Sequence, residues 1–203
     1  MSGVPTSELH PIFALANSER CQHIKGDLRL SVCLHELGHF LIAQGYKAPF
    51  AAIALPDLGP DVDPNAPAHM PATVVNTAGL SRSAKLAMCV AGYAGELCLF
   101  DQEHVRANDE HYTSVMASAN DAAAIMRMEG KSFNPATASH TDIEGILVTC
   151  LRAVRFEPYN MLYCDVGHFR RRVSRLYGLW ESHSFRGLTV TGDVLDRPAQ
   201  QSG

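Results

Sequence analysis

Apolar residues dominate the run from Leu28 to Ala43, and their spacing predicts a helix entered after Asp27 as N-cap and left at Gly45 as C-cap. Three polar side chains interrupt that pattern, His35, Glu36 and His39, and burying them costs free energy unless something binds them. The short apolar segment "APFAAIALP", Ala48 to Pro56, is bounded by prolines and reads as a strand. Pro56 to Pro71 then holds five of the chain's eleven prolines and three aspartates, which predicts a long loop, either a surface excursion or the rim of a site. "PATVVNTAG", Pro71 to Gly79, predicts a second strand.

A long helix is expected from Ser81 to Asp101, with Ala91, Gly92, Ala94 and Gly95 making its centre small enough for another helix to approach closely. Glycine inside a helix costs roughly 1 kcal/mol relative to alanine, so two of them imply a packing benefit. Further helices are expected from about Thr113 to Glu129, ending before Gly130, and from Thr141 to Tyr177 with a break at Pro158. The fold class is therefore α+β and mostly helical, with a small β-sheet. Residues 1–26 form an N-terminal extension and 27–203 a single domain interrupted by the 56–71 loop.

Composition narrows the function classes. At 203 residues and 46% hydrophobic content the chain can bury one sizeable core. No apolar run reaches the roughly 18 residues of a membrane span, and "MSGVPTSELHPIF" lacks the features of a signal peptide, so a cytoplasmic protein without membrane contact is expected. A net charge of -4 gives no general attraction to nucleic acid, and the basic cluster Phe169 to Arg175 reads as a solvated helix face. The six cysteines form no C-x-x-C pair and lie mostly among apolar neighbours, as small buried thiols do. "EHVRANDEHY", Glu103 to Tyr112, reads as a solvated connection.

The interruption in the first helix is H-E-x-x-H. Residues four apart on a helix lie on one face, so His35 and His39 present their imidazoles to one point with Glu36 beside it, the arrangement of a zinc peptidase. Zinc held by two histidines and one more protein ligand keeps an open position for water and lowers that water's pKa toward about 7, and Glu36 is the candidate general base. The residues alone leave two candidates for the third ligand, Glu96 on the small-residue helix and Asp121 on the next one.

"HELGHFLIAQGY", "CVAGYAGELCLF" and "ASANDAAAIMRM" resemble, in order and approximate spacing, the peptidase domain of the FtsH family of ATP-dependent zinc metalloproteases. In that family a strand follows the H-E-x-G-H helix, then a helix with a G-R-A-A-E-E type signature, then a G-A-x-N-D segment whose aspartate is the third zinc ligand. The resemblance implies that Asp121 binds zinc with His35 and His39, and that Glu96 supports the ligands or the helix packing. "RLYGLWESHSFRGLTVTGDVL" resembles the closing helix and end segment of the same domain. Tyr93 stands where the family usually has arginine, Leu97 replaces a second glutamate, and Ser118 stands nearest the missing glycine. No G-x-x-x-x-G-K-[ST] motif occurs and only 34 residues precede His35, so the expected protein is a stand-alone peptidase without its own ATPase or membrane anchor.

The expected function is hydrolysis of peptide bonds in extended or unfolded polypeptide with one zinc per chain. The strand Phe50 to Leu55 is the candidate substrate edge, through Ala52, Ile53 and Ala54. A peptide or unfolded protein is the expected partner, with a partner ATPase or a homo-oligomer left open. The alternatives are a catalytically weak or inactive peptidase-like module that binds peptides or a partner ATPase, and a structural zinc protein with a closed four-ligand site.

Overall fold

A computed structural model describes residues 28–59, 71–102 and 118–196. The N-terminal extension, the Asp27 cap, most of the Pro-rich loop, the 103–112 connection and the first residues of the helix expected from Thr113 lie outside the described residues. The elements run α1 (Leu28–Gly45), β1 (Phe50–Leu55), β2 (Ala72–Asn76), α2 (Arg82–Cys89), α3 (Ala91–Gln102), α4 (Ala119–Met128), α5 (His140–Ala153), α6 (Glu157–Cys164), α7 (Val166–Ser182), β3 (Leu188–Thr191) and α8 (Gly192–Asp196). The fold is α+β and mostly helical, with a three-stranded antiparallel sheet in the order β2-β1-β3. No helix among the described residues is long and apolar enough to cross a membrane.

Helix α1 runs through the core, burying Cys33, Leu37, Phe40, Ile42 and Ala43 almost completely. It packs on α3 at backbone distance because both helices carry glycine at the crossing. A Cβ on Gly38 would lie 2.4 Å from the Ala91 carbonyl oxygen, and one on Gly95 2.7 Å from that of Leu34. The small centre expected of the 81–101 segment thus receives α1. That segment is two helices, however, interrupted at Val90 (φ -95°, ψ 0°).

The sheet corrects the expected substrate edge. β1 is its interior strand, so Ala52, Ile53 and Ala54 pair with Val74, Thr73 and Ala72 on one side and with Thr191, Val190 and Thr189 on the other. Their backbone groups are already satisfied and cannot take another strand. The third strand comes from the tail segment "LTVT", read above only as part of a closing segment.

Several helix ends also differ from expectation, for one reason. α1 continues through Gly45 and closes on Lys47, which takes the left-handed conformation (φ 56°). Ala48 N–H donates to the Ala43 carbonyl and Lys47 N–H to that of Gln44, the paired bonds of a Schellman cap. Gly45 is small for a different reason, since a Cβ there would lie 2.3 Å from Met161 Cε of α6. The same cap closes α5 at Arg155 (φ 56°) and α7 at Ser184 (φ 54°). The break expected at Pro158 falls just before it, at 154–156, and Pro158 itself sits in the first turn of α6, where its missing N–H costs nothing. Among the described helix ends, α4 alone closes on glycine as expected, at Gly130 (φ 71°).

The basic cluster is not a solvated face. Arg172 is buried, and its guanidinium donates to Gln44 Oε1 of α1 at 2.9 Å and pairs with Asp196 of α8. That pair fastens the end of the described chain, and β3 with it, to the core helix.

Candidate metal centre

Four helices and one strand meet at the H-E-x-x-H face of α1. His35 and His39 lie one helical turn apart, with ring centroids 4.7 Å apart and planes at 72°. His35 Nδ1 bonds Glu96 Oε1 at 2.8 Å, and His39 Nδ1 bonds the Met88 carbonyl at 2.6 Å. A carbonyl oxygen and an ionised carboxylate can only accept, so each imidazole donates through Nδ1–H and turns the lone pair of Nε2 away from these partners. Met88 can serve in this way because the interruption at Val90 places it in the last turn of α2, where carbonyls lose their regular partners four residues on.

The two Nε2 atoms lie 3.1 Å apart. Asp121, in the first turn of α4, brings Oδ2 to 3.0 Å from His35 Nε2 and 3.3 Å from His39 Nε2. That oxygen is buried without a well-formed hydrogen bond. His35, His39 and Asp121 are a group that could hold a metal ion. Zinc with bonds of about 2.0–2.1 Å in a tetrahedral arrangement sets its ligand atoms about 3.3 Å apart, close to the separations here. Three converging lone-pair atoms with their other donors already committed fit a cation. Gly92 makes the space for it, since a Cβ there would lie 2.5 Å from His35 Nε2 and 2.6 Å from His39 Nε2.

Glu96 is not in that set. It is 1% exposed, and the oxygen it offers the centre goes to His35 Nδ1, so it orients that imidazole from outside the group. Removing it is expected to weaken zinc binding about 10- to 100-fold, whereas Asp121→Ala deletes a ligand oxygen and should weaken it further. Competitive zinc titration of the two folded proteins gives the order, and a greater loss in Glu96→Ala would contradict the assignment.

Glu36 is 3% exposed and points into the same cleft, where the Thr73 hydroxyl of β2 donates to its Oε2 at 2.6 Å and lies 2.9 Å from its backbone carbonyl. The cleft has a volume of about 650 Å³ and is walled by α1, β2, α2 and α4. Thr73 and the Met88 carbonyl had no signature in the sequence. A strand's residues show which of them alternate but not which atom they meet, and any residue supplies a carbonyl.

Electrostatics couples the three groups. Burial alone would lower the His35 pKa, but contacts with Asp121 and Glu96 outweigh it and hold the imidazole well above its ordinary value of 6.5. His39 is raised too, burial again being overcome by the Asp121 charge. Burial would raise Asp121, yet the neighbouring imidazoles, His39 foremost, hold it well below the usual carboxylate range. In the metal-free protein the raised histidines contribute stability that is complete below 6.5 and lost as pH rises through their folded values. The depressed Asp121 contributes stability present above 3.8 and lost as pH falls through its folded value. Metal and protons compete for the same Nε2 atoms, so apparent zinc affinity should rise with pH by about tenfold per unit for each proton displaced. Equilibrium dialysis between about pH 5.5 and 8 measures the slope, and a flat profile would contradict binding at these histidines.

Comparison of the chain with protein-family models, with curated proteins and with solved structures finds no match in any of the three.

Proposed function

We propose that the chain is a zinc-dependent metallopeptidase that hydrolyses peptide bonds in extended or unfolded polypeptides. The observation that carries this reading is the convergence of His35 Nε2, His39 Nε2 and Asp121 Oδ2 at 3.0–3.3 Å beside a buried glutamate on an open cleft. Zinc held by those atoms would supply Lewis acidity, polarising a carbonyl and acidifying a water.

The chain's own residues do the rest. Thr73 holds Glu36 Oε2 and leaves the carboxylate able to take a proton from the attacking water through Oε1. Glu36 then delivers that proton to the amine nitrogen as the C–N bond breaks, and the acid's remaining proton passes to the amine, so water and peptide become a carboxylate and an ammonium. Glu96 and the Met88 carbonyl keep both imidazoles in the Nδ1–H form throughout. β2 takes over the role first assigned to β1. It is paired on one side only among the described residues, and Ala72, Thr73 and Val75 line the cleft, so a substrate strand adding to its free edge passes beside Glu36.

Zinc-loaded protein should cleave unfolded casein, stop when a chelator strips the metal and resume when zinc is restored. Absence of cleavage with one zinc bound per chain would overturn the peptidase reading in favour of a peptide-binding module.

A further inference from the structure

The cleft carries two charges that hydrolysis does not use. Lys85 of α2 and Arg127 of α4 both line it, and neither forms an ion pair with another described residue, whereas neighbouring Arg82 is neutralised by Glu129 at 2.5 Å. At the floor, Glu36 and Asp121 balance a divalent ion. With that ion bound and Glu96 behind His35 counted, the centre and the cleft's lining together keep one positive charge, in a chain whose formal net charge is -4. Val32, Val75, Met88 and Met128 are among the apolar lining residues, and apolar walls strengthen the attraction of such charges for an anion.

Position follows from the helix. Asp121, Ala124 and Arg127 share the cleft face of α4, and at 1.5 Å rise per residue the Arg127 Cα lies about 9 Å along the axis from that of Asp121. An extended peptide advances about 3.3 Å per residue, so for a substrate lying along α4 Arg127 comes level with a position two to three residues from the scissile carbonyl. We propose that Lys85 and Arg127 form a carboxylate-selecting subsite, so that the preferred substrates carry a carboxylate two to three residues from the bond cleaved. This inference rests on the peptidase reading for its scissile bond, but the charge preference also shows in binding.

The test uses matched peptides with Glu, Gln or Lys at each position within three residues of a single cleavable bond, all amidated. A further peptide ends there in a free carboxylate, to separate a side chain from a chain terminus as the source. Hydrolysis by the zinc-loaded protein and fluorescence anisotropy with the zinc-loaded Glu36→Gln protein are the two readouts. Glu should be preferred over Gln about tenfold at one of these positions in both, with the preference shrinking in high salt. The double variant Lys85→Glu, Arg127→Glu, at unchanged zinc content, should lose it and favour Lys. Hydrolysis with no charge preference, or a preference unmoved by the reversal, overturns the subsite and leaves the peptidase reading standing. Selective binding without hydrolysis by the wild-type protein does the opposite, and failure to bind any peptide overturns both.

Discussion

Gly92→Ala protein should fold and fail to bind zinc. The added methyl would sit 2.5 Å from His35 Cε1 and Nε2 and 2.6 Å from His39 Nε2, far inside van der Waals contact. Retreat of α3 would open the close backbone packing that Gly38 and Gly95 make between the two helices. The imidazoles can turn away only by giving up the Nδ1 bonds to Glu96 and Met88. Zinc affinity should therefore fall by at least about a hundredfold, the upper end of what losing a ligand-orienting contact costs. Crowding of this kind typically costs about 1–3 kcal/mol, partly offset by the roughly 1 kcal/mol that alanine gains over glycine in a helix. Thermal unfolding of the metal-free variant should accordingly remain cooperative. Gly145→Ala in α5, where a Cβ meets nothing within 4 Å, is the control and should keep full zinc binding with equal or greater stability. Undiminished zinc binding by Gly92→Ala would show that the ion does not sit between these imidazoles.

The role of Gly92 also marks how far the sequence could be read. Its neighbourhood promised a close helix approach, and Gly38 and Gly95 make that approach. That Gly92 borders the two histidines was not legible, because it depends on the rotation of α3 about its axis. Helix spacing alone brought His35 and His39 to one point, whereas for the third partner the residues left Glu96 and Asp121 open and only the resemblance favoured Asp121, which the geometry turns inward while it ties Glu96 to His35 Nδ1. The α+β class and both early strands were legible from short apolar runs bounded by turn residues. The third strand was not, since "LTVT" has four residues and gains its partner from Ala52–Leu55, more than a hundred positions earlier. That pairing is also what turned β1 from an edge into an interior strand. The ends of α1, α5 and α7 were misplaced because Lys47, Arg155 and Ser184 occupy the left-handed conformation that glycine normally signals.

Glu36→Gln separates chemistry from metal binding. The two side chains are nearly isosteric, and a glutamine carbonyl can still accept the Thr73 hydroxyl, so the buried contact survives. Glutamine cannot take a proton from water. The variant should hold one zinc per chain and hydrolyse casein at least about a hundredfold more slowly, within the range of a lost general base. Unchanged turnover would remove Glu36 from the mechanism; loss of zinc would make it part of the metal's support instead.

The most direct measurement is a calorimetric titration of zinc into the metal-free wild-type protein near neutral pH, repeated in buffers of different ionisation enthalpy. Binding at His35, His39 and Asp121 predicts one zinc per chain, a heat that changes with the buffer because the raised histidines release protons, and no such site in His35→Ala or His39→Ala. No binding by the wild type, or a full site surviving in both histidine variants, would contradict the account at its centre.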